Sequence, residues 1–331
     1  MDSFDHYDTA QIALKWNAVG NASNAISTAN QRTGSRCLSI GGTGAGPFVD
    51  FANVTTVVVS TAYKPMALRN NSIIAVESNN AGAVQMQLVG SSAGILAVRF
   101  GAFGPDYTVT DPQFNMQAGV YTRYELKVVI GGGVSGSFEL RVNGVVALAV
   151  SGINTNAEGT GDCNIMELGG LGGGQDSFHD DVYCGDDFAG DIIVVENVPS
   201  ADGFYTQWTP NPGPDHFDNV NEIPPDSDTT YNSSDVVGQI DTFDIPNSGY
   251  TPPIQVLAVQ TSIFARKDLA GTRLIAPLLR QGGVDQVGDD RSIGLTTYSY
   301  YRNMFNTNPC TGAAWQQSDL AALEIGVKVT G

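Results

Sequence analysis

The groups in this chain that could do chemistry are three histidines, several clustered carboxylates and a set of aromatic rings, and their spacing limits what that chemistry can be. His6, His179 and His216 lie far apart, and none stands in a His-x-x-x-His or Gly-x-Ser-x-Gly setting. A zinc site would need two of them to converge through the fold, and no residue is assigned a catalytic role. Glu125 and Glu139 are the strand-borne candidates for a glycosidase acid pair, but each alternates with apolar residues, which reads as an outward strand position. The richest oxygen-ligand set is Asp180, Asp181, Asp186 and Asp187, with Asp176 and Asp191 nearby. Calcium takes roughly six to eight oxygens, which loops supply readily. The order is not that of an EF-hand, so these residues read first as solvated turn acids and, as the alternative, as a Ca2+ site. The glycines within 169–174 lack the Lys-Ser/Thr and following helix of a phosphate loop and read as a turn. Trp16, Tyr63, Tyr107 and Tyr121 are candidates for stacking on sugars at a sandwich edge, with Trp208 a further one; core or interface packing is the alternative for each.

These residues sit in a β-rich pattern. Residues 54–61 form a near-continuous β-branched run, and 72–77, 84–89 and 96–100 follow, separated by Gly or Asn clusters such as Asn79-Asn80-Ala81-Gly82. In 121–130, Arg123, Glu125 and Lys127 alternate with Tyr124, Leu126 and Val128, the period of a strand with one buried face. Asn143-Gly144 between two apolar strands suits a type I′ hairpin turn. Residues 178–184 and 190–195 read as further short strands, and strands at this spacing joined by turns suggest a β-sandwich. Nine prolines fall in 199–253, which reads as an ordered but irregular connector because Trp208, Phe217, Tyr231 and Phe243 demand burial. β-like runs resume at 254–264, 271–279, 292–301 and 325–329, with one helical turn at 319–324. The expected organisation is therefore all-β: a sandwich over 1–198, a connector over 199–253 and a smaller β-domain over 254–331.

Charge narrows the partners. The formal net charge is −18, yet no Lys or Arg lies between Arg141 and Arg266, an interval holding 19 acidic residues; the remaining 15 acids face 16 bases. The negative charge is one central block, expected to face solvent, and it argues against nucleic-acid binding and against adhesion to an anionic membrane. The first residues have neither a basic start nor an apolar segment, so no signal peptide is expected. No run reaches the ~18 apolar residues of a membrane span. Cys37, Cys163, Cys184 and Cys310 are widely spaced and read as thiols, with Cys163–Cys184 the pair most suited to a disulfide.

Arg36-Cys-Leu-Ser-Ile40, Phe138-Glu-Leu-Arg-Val-Asn-Gly-Val-Val146 and Asp180-Asp-Val-Tyr183 followed by Gly190-Asp-Ile-Ile-Val194 resemble strands of the concanavalin A-like, laminin-G-type jelly roll. The second half resembles virion proteins of tailed bacteriophages through Trp208-Thr-Pro210, His216-Phe217, Asp228-Thr-Thr-Tyr231 and Asn308-Pro-Cys-Thr-Gly-Ala-Ala-Trp315. The resemblance implies a concanavalin A-like β-sandwich (jelly roll) followed by a smaller C-terminal β-sandwich domain. It also implies a non-enzymatic virion structural protein, made in the host cytoplasm and assembled as a homotrimer with other virion proteins. A tail fibre, baseplate or tail-tip component touching host glycans is the first expectation. A capsid decoration protein without a ligand is the alternative, and a polysaccharide-cleaving enzyme the less favoured one. No cofactor is expected beyond the candidate Ca2+.

Overall fold

The computed structural model describes residues 1–41, 46–78, 83–169, 177–246, 254–294 and 296–331. The expected turn at Asn79-Asn80-Ala81-Gly82, most of the glycine run at 169–174 and Asp176 lie outside them. The chain divides into two compact units, Met1–Glu196 and Asn197–Gly331.

The first unit is an antiparallel jelly-roll sandwich. Its seven-stranded sheet runs in the order β1 (Ala25–Ser27), β2 (Cys37–Ile40), β13 (Ser177–Gly185), β4 (Thr56–Pro65), β9 (Thr122–Val129), β10 (Gly136–Val142) and β11 (Val145–Ile153). The six-stranded sheet runs β3 (Phe48–Val54), β12 (Cys163–Leu168), β5 (Asn71–Glu77), β6 (Val84–Gly90), β7 (Leu96–Phe100) and β8 (Asp106–Thr108). Alternation sets the core. Val57, Val59, Tyr124, Leu126, Val128 and Leu140 are buried on one side of the larger sheet, as are Ile74, Val76, Met86, Leu88 and Val98 on one side of the smaller. Asn143 and Gly144 both have positive φ, at 50° and 78°, and close the β10–β11 hairpin as expected.

One local expectation fails in this unit. The run 190–195 forms no strand; its apolar residues lie along an extended strap whose polar backbone atoms meet side chains, as described below. The four cysteines are free thiols, as expected; the alternative Cys163–Cys184 bridge is not formed, and burial pushes both of these thiols up to about 12.

The second unit is a five-stranded sheet, β14 (Ala201–Thr206), β17 (Ile240–Asp244), β23 (Leu323–Val329), β19 (Arg273–Gln281) and β20 (Val284–Val287), with β21 (Arg291–Ile293) also paired to β19. A two-stranded layer, β18 (Val259–Ala265) with β22 (Ser299–Phe305), brings Ile263, Tyr301, Val259 and Phe305 against Ile275, Val327, Leu279, Trp315 and Leu323. The stretch expected as a separate connector is part of this unit. It supplies β14 and β17 to the sheet, and β15 (Thr209–Asn211) pairs with β16 (Tyr231–Ser233). Of its prolines, Pro210 sits on an isolated two-stranded ribbon, where a missing N–H is tolerated. The segment is also tied down by one carboxylate. Buried Asp241 accepts the backbone N–H of Gln207 and Trp208 at 2.8 and 2.9 Å and lies 2.8 Å from His216 Nδ1. No helix among the described residues is long and apolar enough to cross a membrane.

The outward face of the six-stranded sheet carries two buried acids, Glu77 and Glu167. Ile165 pairs with Glu77 and Glu167 with Ala75, so the two carboxyls share one face. Glu167 accepts the Gly46 amide at 3.0 Å. Burial, then the hydrogen bond and charge of Glu77, push its carboxyl up to about 8, so the pair holds a proton at neutral pH. A carboxyl raised in the folded state gives stability that is present below its unfolded value and lost as pH rises through about 8. Melting curves of the wild type and Glu167→Gln between pH 4 and 9 should therefore diverge. The wild type is expected to lose stability relative to the variant as pH rises and to level off above about 8; parallel curves would refute the shared proton.

Candidate functional site

The outward face of the seven-stranded sheet is where charged side chains gather. The register places Lys127, Glu125 and Arg123 of β9 on one face, opposite Val58, Ser60 and Ala62 of β4 and, on the other flank, Glu139 and Arg141 of β10. An outward position normally means solvent. Here Ser60, Arg123 and Glu125 are buried, at 0, 2 and 0% exposure. The cover comes from two segments, the loop carrying Arg32 and Thr33 and the strap at 186–196.

Asp181 fastens both. A β-bulge in β13 shifts the register between Asp180 and Tyr183, and Asp181 takes a left-handed conformation with φ of 49°. Its carboxylate, with no exposed surface, accepts from Arg32 Nη1 at 2.8 Å, Thr33 Oγ1 at 3.0 Å and the Val194 amide at 2.7 Å, while its carbonyl accepts from Arg123 Nη1. Arg32 Nη1 also donates to the Ile192 carbonyl, at 2.8 Å, and its Nη2 to Asp191. Glu125 Oε1 accepts the strap amides of Ala189 and Gly190 at 3.0 and 2.8 Å. Asp180 accepts the amides of Arg32, Thr33 and Asp181. Burial and then Asp181's charge push Asp180 up to about 7, and burial lowers Arg123 to about 10.

Beyond the strap the face opens into a groove of about 440 Å³ lined by Lys127, Ser137, Glu139, Arg141, Asp187 and Phe188. The Arg141 guanidinium lies 3.7 Å from the Phe188 ring centre and bonds Glu139 at 2.6 Å; Lys127 pairs with Asp187 at 3.2 Å. The groove thus offers an aromatic ring, two cations, two carboxylates and serine hydroxyls close together.

The residues singled out from sequence do not form one site. Trp16 is buried, donating to Asp2 and to the Tyr7 hydroxyl at 2.8 and 2.9 Å. Tyr63 is buried beside His179, ring centres 4.9 Å apart, and accepts from Asn71. Tyr121 is half-buried and donates to the Asn30 carbonyl, and Tyr107 packs edge-on against Phe138 at 5.3 Å. None of the four lines the groove; their polar tips or ring faces are taken up within the unit. The acidic set is likewise dispersed. Asp180 and Asp181 hold the cover, while Asp187 is exposed and paired with Lys127. Among the described residues no group of three or more His, Cys, Asp or Glu side chains could hold a metal ion, so the candidate calcium ligands do not converge. Of the sequence candidates, Glu139 reaches the groove and Glu125 its covered neighbourhood. Arg123, Arg141 and Phe188 match no motif; for the two arginines the signal in the sequence is the alternation through 121–130 and 137–142.

No protein-family model and no curated protein matches the chain. Solved structures similar to part of it include an endo-β-1,4-glucuronan lyase from the fungus Trichoderma reesei, 16% identical over 53% of this chain and 92% of that one with a TM-score of 0.40. An alginate lyase from Aplysia kurodai is 11% identical over 49% and 87%, at 0.37. A tetrameric galectin from the sponge Cinachyrella is 13% identical over 41% and 96%, at 0.31.

The Asp181 fastening is testable. Asp181→Asn keeps a residue tolerant of the left-handed backbone and removes the charge, and should lower stability by about 2 to 3 kcal/mol. Hydrogen exchange at the Ala189, Gly190 and Val194 amides should speed up while β9 amides stay protected. Unchanged strap amides would show that the carboxylate does not hold the cover.

Proposed function

We propose that this chain is a non-enzymatic glycan-contact protein of a tailed-bacteriophage particle, a tail fibre, baseplate or tail-tip component. The observation that carries the glycan reading is the groove beside the strap, where Phe188, Arg141, Lys127, Glu139 and serine hydroxyls stand together on an otherwise apolar or covered sheet. Sugar hydroxyls both donate and accept, so paired cations and carboxylates suit them, and an aromatic ring suits the apolar face of a pyranose. The titratable groups of the groove sit in ion pairs, and His179 is fully buried and held neutral, its pKa lowered to about 3 by burial. That arrangement supports binding over cleavage, because no groove group is free to take a proton from substrate. The particle assignment rests on the resemblance of residues 208–231 and 308–315. Assembly as a homotrimer among other virion proteins would raise weak single-site affinity by avidity. A second reading, a capsid decoration protein without a ligand, is favoured by the strap, which covers the middle of the sheet.

An array of host polysaccharides should show saturable binding, weakened about tenfold or more by Arg141→Ala with Phe188→Ala, the loss of one strong contact. No binding to any host polysaccharide would overturn the attachment reading, and release of unsaturated or reducing ends from a bound polysaccharide would overturn the non-enzymatic one. Imaging of labelled copies on the particle separates tail from head.

A further inference from the structure

Beneath the strap, four polar atoms of three buried side chains have no hydrogen-bond partner among the described residues: Arg123 Nε and Nη2, Glu125 Oε2 and Ser60 Oγ. Ser60 is the register partner of Glu125, and Arg123 lies two residues along the same strand, so all three project from one face. The other atoms of the two charged groups are engaged, Arg123 Nη1 by the Asp181 carbonyl and Glu125 Oε1 by the strap amides. What is left over has a definite chemistry. Nε and Nη2 form one edge of the guanidinium, two parallel donors; Oε2 accepts, and Ser60 Oγ can do either. A carboxylate would fit the donor edge but would sit against Glu125 and near Asp181 and Asp191. Two neighbouring hydroxyls meet every atom: both oxygens accept from the guanidinium edge, one hydroxyl donates to Oε2 and the other exchanges a hydrogen bond with Ser60.

We propose that Arg123, Glu125 and Ser60 form an inner subsite for the vicinal hydroxyls of a neutral sugar residue, continuous with the open groove and roofed by the strap at 186–196. This deepens the glycan reading and rests on it. Continuity follows from register, since Arg141, which lines the groove, is the partner of Glu125 across β9 and β10. The strap serves both parts. Asp187 and Phe188 border the groove, and the next two residues, Ala189 and Gly190, lie on Glu125. Entry of a sugar requires the amides of Ala189 and Gly190 to leave Glu125 Oε1, where a sugar hydroxyl can donate in their place. Other anchors of the strap, among them Val194 N on Asp181 and the Ile192 carbonyl and Asp191 carboxylate on Arg32, set how readily it lifts.

The side-chain Nε–H resonances of Arg123 and Arg141 report the inner and outer parts separately. They would be followed in the ¹⁵N-labelled full chain titrated with methyl α-D-glucoside, methyl α-D-galactoside and methyl α-D-mannoside. 1,3-Butanediol, which lacks vicinal hydroxyls, is the control. Arg123→Lys identifies its resonance by loss, and Val194→Pro, which removes one strap anchor without touching the subsite, keeps the test open if the lysine variant does not fold. The Arg123 signal is expected to shift saturably with at least one glycoside and not with the diol. Val194→Pro should lower the half-saturating concentration by about fivefold, the factor gained by populating an open form more often. If Arg141 responds and Arg123 stays fixed in both proteins, the inner atoms bind only water and the subsite is refuted while the groove stands. If neither arginine responds, the groove reading fails and the subsite falls with it.

Discussion

The first unit turns on a single carboxylate. Asp181 stands at a bulge where β13 departs from strict alternation, and its left-handed backbone turns the side chain toward segments that the ladder does not reach. From there it holds the Arg32 loop, the strap and, through its carbonyl, Arg123. A buried carboxylate is tolerable only when its lone pairs are filled, and removing one partner of such a pair costs more than the pair itself contributes. The bulge, the loop and the strap are therefore mutually dependent: each supplies a hydrogen bond that the burial of the others requires.

That dependence changes what the sheet face is. Without the cover, Arg123, Glu125 and Ser60 would be ordinary outward residues of a half-solvated sheet. With it, they become interior, and their environment shifts accordingly, Arg123 being lowered to about 10 by burial. The cover stops at Phe188, so a single sheet face has a closed polar part and an open polar part. The boundary between them is a strap held by side-chain carboxylates and not by a strand ladder, and such a boundary can move at less cost than a paired strand.

The legible part of the structure was the part encoded locally. The alternation through 121–130 gave the inward and outward faces of β9, and Asn143-Gly144 gave a hairpin with both turn residues at positive φ. The strap shows where local reading stops. Ile192, Ile193, Val194 and Val195 have the composition of a strand, but the amides around them are taken by Glu125 and Asp181, and Glu125 is more than 60 positions away. The aromatic candidates failed for a related reason. A tyrosine or tryptophan suits a sugar platform and a core equally well, and the choice depends on whether its polar tip finds a partner such as Asp2 or Asn71, which no spacing rule specifies.

The central block of negative charge, expected to face solvent, has a more specific meaning. Asp carboxylates repeatedly accept backbone amides where no strand lies alongside: Asp5 those of Ser35 and Arg36, Asp202 that of Phe217, Asp226 that of Thr230, Asp241 those of Gln207 and Trp208. Every buried backbone N–H needs an acceptor, and a short carboxylate near the chain reaches one at less entropic cost than a long one. Asp180, Asp181 and Asp241 belong to the acidic middle yet are wholly buried. Part of the negative charge is thus the consequence of folding long irregular segments onto two β-units, with carboxylates replacing the missing ladder. The acids left in solvent are the remainder of that demand, and the groove, where cations and carboxylates come in pairs, is the stretch of this face where charge is balanced and open at once.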